Sequence, residues 1–258
     1  IYAILGMIYA PQGLMAGPEC STFATRIDSS IRTETMSEEL IPDVSLVDNS
    51  EERLPLVLVL DCSASMDGPK LRALQDGLSD MDRELKADRK ASKSVRILVV
   101  RFWGDDQVEA DAWQDAMDFS PPRLVANGRT PTGAAMLLAV DEIESEKAAM
   151  RSAGVSYKRP LVYLMSDGAP TDDWRPASEQ CVAAMGANKL TIFPIGVGDD
   201  ANLEVLSKFS AKPALKLEGL KFKELFLWLS ASVKAVSRAT QGEAVQLAPT
   251  SSWASVRI

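Results

Sequence analysis

The stretch Leu54–Gly68, LPLVLVLDCSASMDG, limits the fold more than any other part of the chain. Leu56-Val57-Leu58-Val59-Leu60 is apolar without alternation, which suits a strand buried on both faces, the habit of parallel sheets. The run stops abruptly at Asp61-Cys62-Ser63-Ala64-Ser65. Ligands of open α/β sheets bind just beyond the carboxyl ends of such strands. Asp61, Ser63 and Ser65 alternate there, so their three oxygens can point one way. A carboxylate with two hydroxyls is an all-oxygen set, suited to a hard cation such as Mg²⁺ and not to zinc. The same residue types are also turn formers and helix N-caps. This stretch alone leaves the two roles evenly matched.

The following sequence supplies the rest of an α/β domain. Pro69 suits a first helical turn. Leu71, Leu74, Leu78, Met81 and Leu85 then recur at three- and four-residue steps, an amphipathic helix that packs on a sheet. Val95–Trp103 reads as the second strand, and Val108–Ala110 as a short third one. Asn127-Gly128 marks a turn. Pro131–Ile143 carries a second helical stripe, and Glu144–Lys158 reads as a helix end and charged loop. Leu161–Met165 is another buried strand, ending in Ser166-Asp167-Gly168. A helix over Pro176–Ala187, a strand over Leu190–Val197, a short helix over Leu203–Phe209 and a short strand over Ala214–Leu217 follow. Phe222, Leu225, Phe226, Leu229 and Val233 mark a last helix, and Val245–Leu247 an edge segment. Strands alternating with helices predict a doubly wound, mainly parallel sheet flanked by helices.

The organisation expected is an N-terminal extension over 1–53, partly flexible, a domain over 54–240, and a tail over 241–258 that packs on it through Trp253. Within the extension, Ile1–Ala10 is apolar but short of the roughly 20 residues a membrane span needs. It also lacks the basic start of a secretory signal. Met36 is a plausible alternative start.

Composition removes several function classes. With 0 His residues, Ser-His-Asp hydrolysis, His-ligated zinc and His general bases are excluded. A net charge of -8 argues against nucleic acid as the main partner. The cluster Lys208, Lys212, Lys216, Lys221 and Lys223 reads as a solvated face. Cys20, Cys62 and Cys181 form no CxxC and are odd in number, so buried free thiols in a reducing cytoplasm are expected. No membrane partner is expected.

Three loops near strand ends converge on one chemistry. Thr130, in Gly128-Arg129-Thr130-Pro131-Thr132-Gly133, and Asp167 would complete a mostly octahedral oxygen shell with water around Asp61, Ser63 and Ser65. Two carboxylates balance the charge, and neutral hydroxyls keep the ion electrophilic. A position left open then accepts a carboxylate from a partner.

This arrangement resembles the metal-ion-dependent adhesion site (MIDAS) of von Willebrand factor type A (vWA) domains: DxSxS, then a Thr, then an Asp. The resemblance runs from Leu54 to about Val236. It is closer still to the tellurium-resistance TerY family of bacterial vWA proteins, through Leu161–Trp174, LVYLMSDGAPTDDW, and Phe226–Ser232, FLWLSAS. It implies that Asp61, Ser63, Ser65, Thr130 and Asp167 are the metal-site residues. Thr132 is the alternative for the Thr; Thr130 is preferred because it follows Gly128-Arg129, as in the family pattern. Asp172 and Asp173 are read as supporting or partner-facing acids, or as N-terminal acids of the helix near Pro176. Ala64 stands where the family commonly has Gly.

The leading expectation is a non-enzymatic binding module. Its Mg²⁺, or Mn²⁺ or Ca²⁺ in its place, captures an acidic side chain of a protein partner. What the resemblance implies further is a bacterial, cytoplasmic protein tied to tellurite or related stress, with kinase-like or phosphatase-like partners. The rival is a Mg²⁺-dependent phosphotransferase or phosphatase of the haloacid-dehalogenase type. That chemistry uses DxD, whereas Ser63 holds the second Asp's place, and a hydroxyl is a poor proton carrier near neutral pH. No GxxxxGK[ST] loop is present. A vWA scaffold with an empty site is the third reading.

Overall fold

The computed structural model describes residues 49, 51–240, 245–247 and 249–255. Most of the expected extension, with Ile1–Ala10, Cys20 and Met36, lies outside the described residues. Strand β1 is Leu54–Asp61. A 3-10 turn, Ala64–Met66, leads to helix α1, Pro69–Ala87. A short α2, Ala91–Ser94, precedes β2, Val95–Trp103, β3, Gln107–Ala110, and β4, Gln114–Asp115. Then come α3, Thr132–Ser152, β5, Leu161–Ser166, α4, Arg175–Gly186, and β6, Thr191–Val197. The last elements are α5, Leu203–Ser207, β7, Leu215–Leu217, α6, Phe222–Arg238, and β8, Ala254–Ser255.

The strands form one sheet in the order β3-β2-β1-β5-β6-β7-β8, with β4 also on β2. β2, β1, β5, β6 and β7 run parallel, and β3, β4 and β8 are antiparallel. β1 lies between β2 and β5 and is covered on both faces, which is why Leu56–Leu60 is apolar throughout. Leu56, Leu58 and Leu60 face one layer with Leu74, Leu78, Met81 and Leu85 of α1 and Phe222, Phe226 and Leu229 of α6. Val57 and Val59 face the other, with Ala135, Met136, Ala139 and Ile143 of α3 and Ala177 and Cys181 of α4. Each of the Leu, Val, Ile, Met and Phe side chains among these contributes ~1.5–3 kcal/mol by leaving water. α1 and α6 lie close because Gly77 has no side chain. A Cβ there would sit 2.3 Å from Cδ2 of Phe226.

One expectation needs correction and one is sharpened. The charged stretch Glu144–Lys158 is the expected helix end and loop, with α3 running on to Ser152 before the turn at Ala153-Gly154. Glu146 and Met150 point inward there, and Glu146 accepts a short hydrogen bond from Nε of Arg96. The edge is formed by Ala254–Ser255 on β7, and Val245–Leu247 is not a strand. Trp253 is buried, its ring 5.1 Å from that of Trp228, and its carbonyl accepts from the Glu218 N–H at 2.8 Å.

The amino edge of the sheet is clamped by buried charge. Nη1 of Arg53 donates to Oδ2 of Asp115 at 3.1 Å and to the Lys93 carbonyl at 2.6 Å. Nη1 of Arg96 donates to Oδ1 of the same Asp115 at 3.2 Å. Lys158 closes the end of α6, donating to the carbonyls of Val236 at 2.9 Å and Ser237 at 3.1 Å. The described part of the stretch before β1 is tied down as well: Asn49 donates to the Lys93 carbonyl at 2.7 Å. Among the described residues, no helix is long and apolar enough to cross a membrane.

Candidate metal centre

The carboxyl ends of β1 and β5 lie side by side, Leu60 opposite Met165, so Asp61 and Ser166 meet as the strands finish. Asp61 is fully buried. Its Oδ1 accepts the Ser63 N–H at 2.8 Å, and its Oδ2 accepts the Ser166 hydroxyl at 2.5 Å. Burial pushes its carboxyl above the usual carboxylate range, and the bonds from Ser166 and Ser63 oppose that rise. A cation beside Asp61 would oppose it too, since opposite charge favours the ionised form.

The Asp61 turn delivers the two hydroxyls. Oγ of Ser63 and Oγ of Ser65 are 3.0 Å apart, and Oγ of Ser65 donates to Oδ1 of Asp167 at 2.7 Å. Octahedral Mg²⁺ with oxygens at about 2.0–2.1 Å places neighbouring ligands about 2.9 Å apart. The two contacts are hydrogen bonds of ordinary length that a shell of that size could replace, and the all-oxygen donor set fits a hard divalent ion. Among the described residues no three His, Cys, Asp or Glu side chains cluster as metal ligands. This set is distinctive in relying on hydroxyls.

Thr130 enters from a third loop, stitched to the first by main-chain bonds. The Ala64 N–H donates to the Gly128 carbonyl at 3.0 Å, and the Asn127 N–H to the Cys62 carbonyl at 2.9 Å. Gly128 is required here. Its φ is +62°, and a Cβ would sit 2.3 Å from Cα of Gly104. The Thr130 N–H donates to Oγ1 of Thr171 at 3.1 Å, and the Thr171 N–H returns to the Thr130 carbonyl at 3.0 Å. This pair sets Oγ1 of Thr130 against Gly168, 3.8 Å from where a Cβ would project. Thr132 instead turns its hydroxyl to the Thr130 carbonyl at 3.4 Å.

Of the readings open for Asp172, its contacts favour the supporting one. It does not serve the helix near Pro176. Its Oδ1 and Oδ2 accept the N–H groups of Gly133 at 3.2 Å and Ala134 at 2.8 Å, capping α3 from another loop. Asp173 is exposed, 3.7 Å from Arg175. Ser166, Thr171 and Lys70 carry no sequence signal of their site contacts; Nζ of Lys70 pairs with Oδ2 of Asp167. Ser166 ends a strand that the sequence marks, but only the fold puts it against Asp61. Cys62 and Cys181 are buried free thiols, both pushed up to about 12 by burial, so neither is poised as a nucleophile.

Residues 56–224 match the von Willebrand factor type A domain. The chain belongs to this family. No curated protein matches it. Among solved structures, the pilus adhesin SpaC of Lactobacillus rhamnosus GG is similar at TM-score 0.56 and 12% identity, over 72% of this chain and 31% of SpaC. The vWF domain of the type V pili tip protein Mfa5 of Porphyromonas gingivalis is similar at TM-score 0.52 and 12% identity, over 76% of this chain and 99% of that domain. Proximal thread matrix protein 1 of the mussel byssus, solved with a zinc-occupied MIDAS motif, is similar at TM-score 0.48 and 15% identity, over 72% of this chain and 49% of that one. The chain thus spans about half the length of the mussel protein. At 12% identity the likeness to SpaC and Mfa5 is one of fold.

Proposed function

We propose that this vWA domain is a cation-dependent protein-binding module that captures an acidic side chain at the carboxyl edge of its sheet. The observation that carries this is that the fold brings the oxygens of Ser63, Ser65 and Asp167, the last 102 residues beyond Ser65, into one hydrogen-bonded cluster with contacts of 3.0 and 2.7 Å, an all-oxygen set suited to a small hard cation. Asp61, Ser63, Ser65, Thr130 and Asp167 would hold the ion, Mg²⁺ by preference, with Mn²⁺ or Ca²⁺ as substitutes. When bound, the ion supplies a Lewis-acid position for a partner's carboxylate. Asp61 and Asp167 supply countercharge, and Ser63 and Ser65 supply neutral oxygens that leave the ion short of negative charge. Ser166 holds Asp61 in place, and Thr171 holds the Thr130 loop.

The reading is non-enzymatic because Ser63 occupies the place where a phosphotransferase of the rival type needs a second acid. The resemblance to the TerY family supports a finer reading: a bacterial cytoplasmic protein serving tellurite or related stress resistance, with kinase-like or phosphatase-like partners. We take the binding domain as 54–240, entered through the tied residues Asn49 and Glu51–Arg53, with the rest of 1–53 an accessory segment and 241–258 a packing tail.

The test is metal-dependent stability. Mg²⁺ or Mn²⁺ at 100 times its dissociation constant adds ~2.7 kcal/mol, or about 5–10 °C in Tm at ~2–4 °C per kcal/mol for a domain of this size. EDTA reverses the gain, and Asp61→Ala abolishes it while circular dichroism stays native. No shift at millimolar metal would sink the proposal, and an unfolded Asp61→Ala chain would make Asp61 structural. Pull-down from the native host with and without EDTA then isolates the partner.

A further inference from the structure

We infer that Lys70 is a built-in cationic competitor that sets how tightly this site holds a divalent ion; the inference rests on the metal-binding reading above. Lys70 is the second residue of α1, and its ammonium leaves the helix to reach the site. Nζ pairs with Oδ2 of Asp167 and lies 3.4 Å from the Ser65 carbonyl oxygen. The carboxylate end of this pair is dry: the Asp167 side chain is 1% exposed, against 26% for Lys70. The pair is therefore less screened than a rim salt bridge.

The route of the side chain is shaped by the fold. It passes over Gly198, whose φ is +80°. A Cβ there would stand 3.4 Å from Cε and 3.6 Å from Nζ of Lys70. The loop after β6 thus offers bare backbone along the path, and the loops after β1 and β5 offer the two oxygens at its end.

The division of Asp167 decides the consequence. Its Oδ1 accepts from Ser65, and its Oδ2 is held by Lys70. A divalent ion bound by Ser65 and Asp167 must share that one carboxylate with an ammonium. The site's two carboxylates bring two negative charges, and Lys70 cancels one of them. Like charge across a single dry carboxylate weakens ion binding unless the lysine swings out. Lys70 thereby acts through Asp167, as a residue that tunes affinity and is not itself a ligand.

The experiment is a Mn²⁺ titration of the full chain, reading free Mn²⁺ by electron paramagnetic resonance and Mg²⁺ by calorimetric competition. Wild type, Lys70→Met, Lys70→Gln, Lys70→Arg and Asp61→Ala are compared, with near-ultraviolet circular dichroism as the check on folding. Lys70→Met and Lys70→Gln are expected to bind at least tenfold more tightly. Lys70→Arg, which restores the charge, should stay within threefold of wild type. Asp61→Ala should not bind. If wild type binds Mn²⁺ and the two neutral variants change by less than threefold or bind more weakly, the role of Lys70 is refuted and the metal reading stands. If neither wild type nor the neutral variants bind, both readings fall. Binding by the neutral variants alone supports both.

Discussion

Replacing Asp172 with Ala tests how the metal loops are held. Helix α3 starts at Thr132, and Pro131 before it offers no side-chain cap. Asp172 supplies the missing acceptors, taking the N–H groups of Gly133 at 3.2 Å and Ala134 at 2.8 Å. The approach depends on Gly133, where a Cβ would lie 2.7 Å from Cα of Trp174 and 2.9 Å from Oδ2 of Asp172. Hydrogen bonds to a charged group contribute ~1.5–3 kcal/mol, and a negative charge at a helix N-terminus ~0.3–1 kcal/mol. Asp172 is only half-buried, so the low end applies. Asp172→Ala should cost ~2 kcal/mol, which lowers Tm by about 4–8 °C at ~2–4 °C per kcal/mol. Asp172→Asn keeps one acceptor and should lose about half as much. Thr130 lies two residues before α3, and Thr171 beside Asp172 bonds to it. The Ala variant should therefore also gain less stability from Mn²⁺ than wild type. Urea denaturation with and without Mn²⁺ measures both effects. An Ala variant within ~0.5 kcal/mol of wild type, the ordinary range for a surface change, would refute the capping argument.

Two further outcomes follow from buried charge. Asp115→Ala removes the carboxylate that buried Arg53 and Arg96 share, their side chains being 0% and 2% exposed; it should cost ~3 kcal/mol in urea denaturation, the low end for breaking a buried pair because Arg96 keeps Glu146, yet leave Mn²⁺ affinity unchanged, since Asp115 lies at the opposite edge of the sheet. The folded-state pKa of Asp61 is raised above its ordinary value of 3.8, so between that value and the raised one the folded chain binds more protons than the unfolded chain. Stability from Asp61 then falls as pH rises through that window. The stability difference between wild type and Asp61→Asn in EDTA should decline with pH there and level off above it, and a flat difference would contradict the burial of this carboxyl.

The legible part of this chain was its central strand. Leu56–Leu60 could be read because a strand covered on both faces has to be apolar at every position, and α1 and α6 because each turns one stripe to the sheet. Asp61, Ser63 and Ser65 were legible as a group because they are close in sequence and end that strand. The inward-facing charge near the end of α3 was not. The helix's second half is buried through Glu146 against Arg96, and a buried ion pair has the same letters as a solvated face. The contacts of Asp172 and Lys70 escaped for a related reason. Their partners lie 38–39 and 97 residues away along the chain. β8 was missed because two residues carry too little pattern; its place is set by Trp253 packing on Trp228.

Arg53 bears on how the chain can be dissected. It precedes β1 by one residue, yet it is wholly buried. Its main chain also bonds to Ser156 at 2.9 Å and Lys158 at 2.8 Å. Just before it, Glu52 lies 3.4 Å from Nζ of Lys158. A fragment trimmed to the first residue of the strand would discard the guanidinium that Asp115 shares and the two main-chain ties that hold the segment after α3. The cut that respects the chemistry falls upstream of Asn49, whose side chain holds the Lys93 carbonyl that Arg53 also holds.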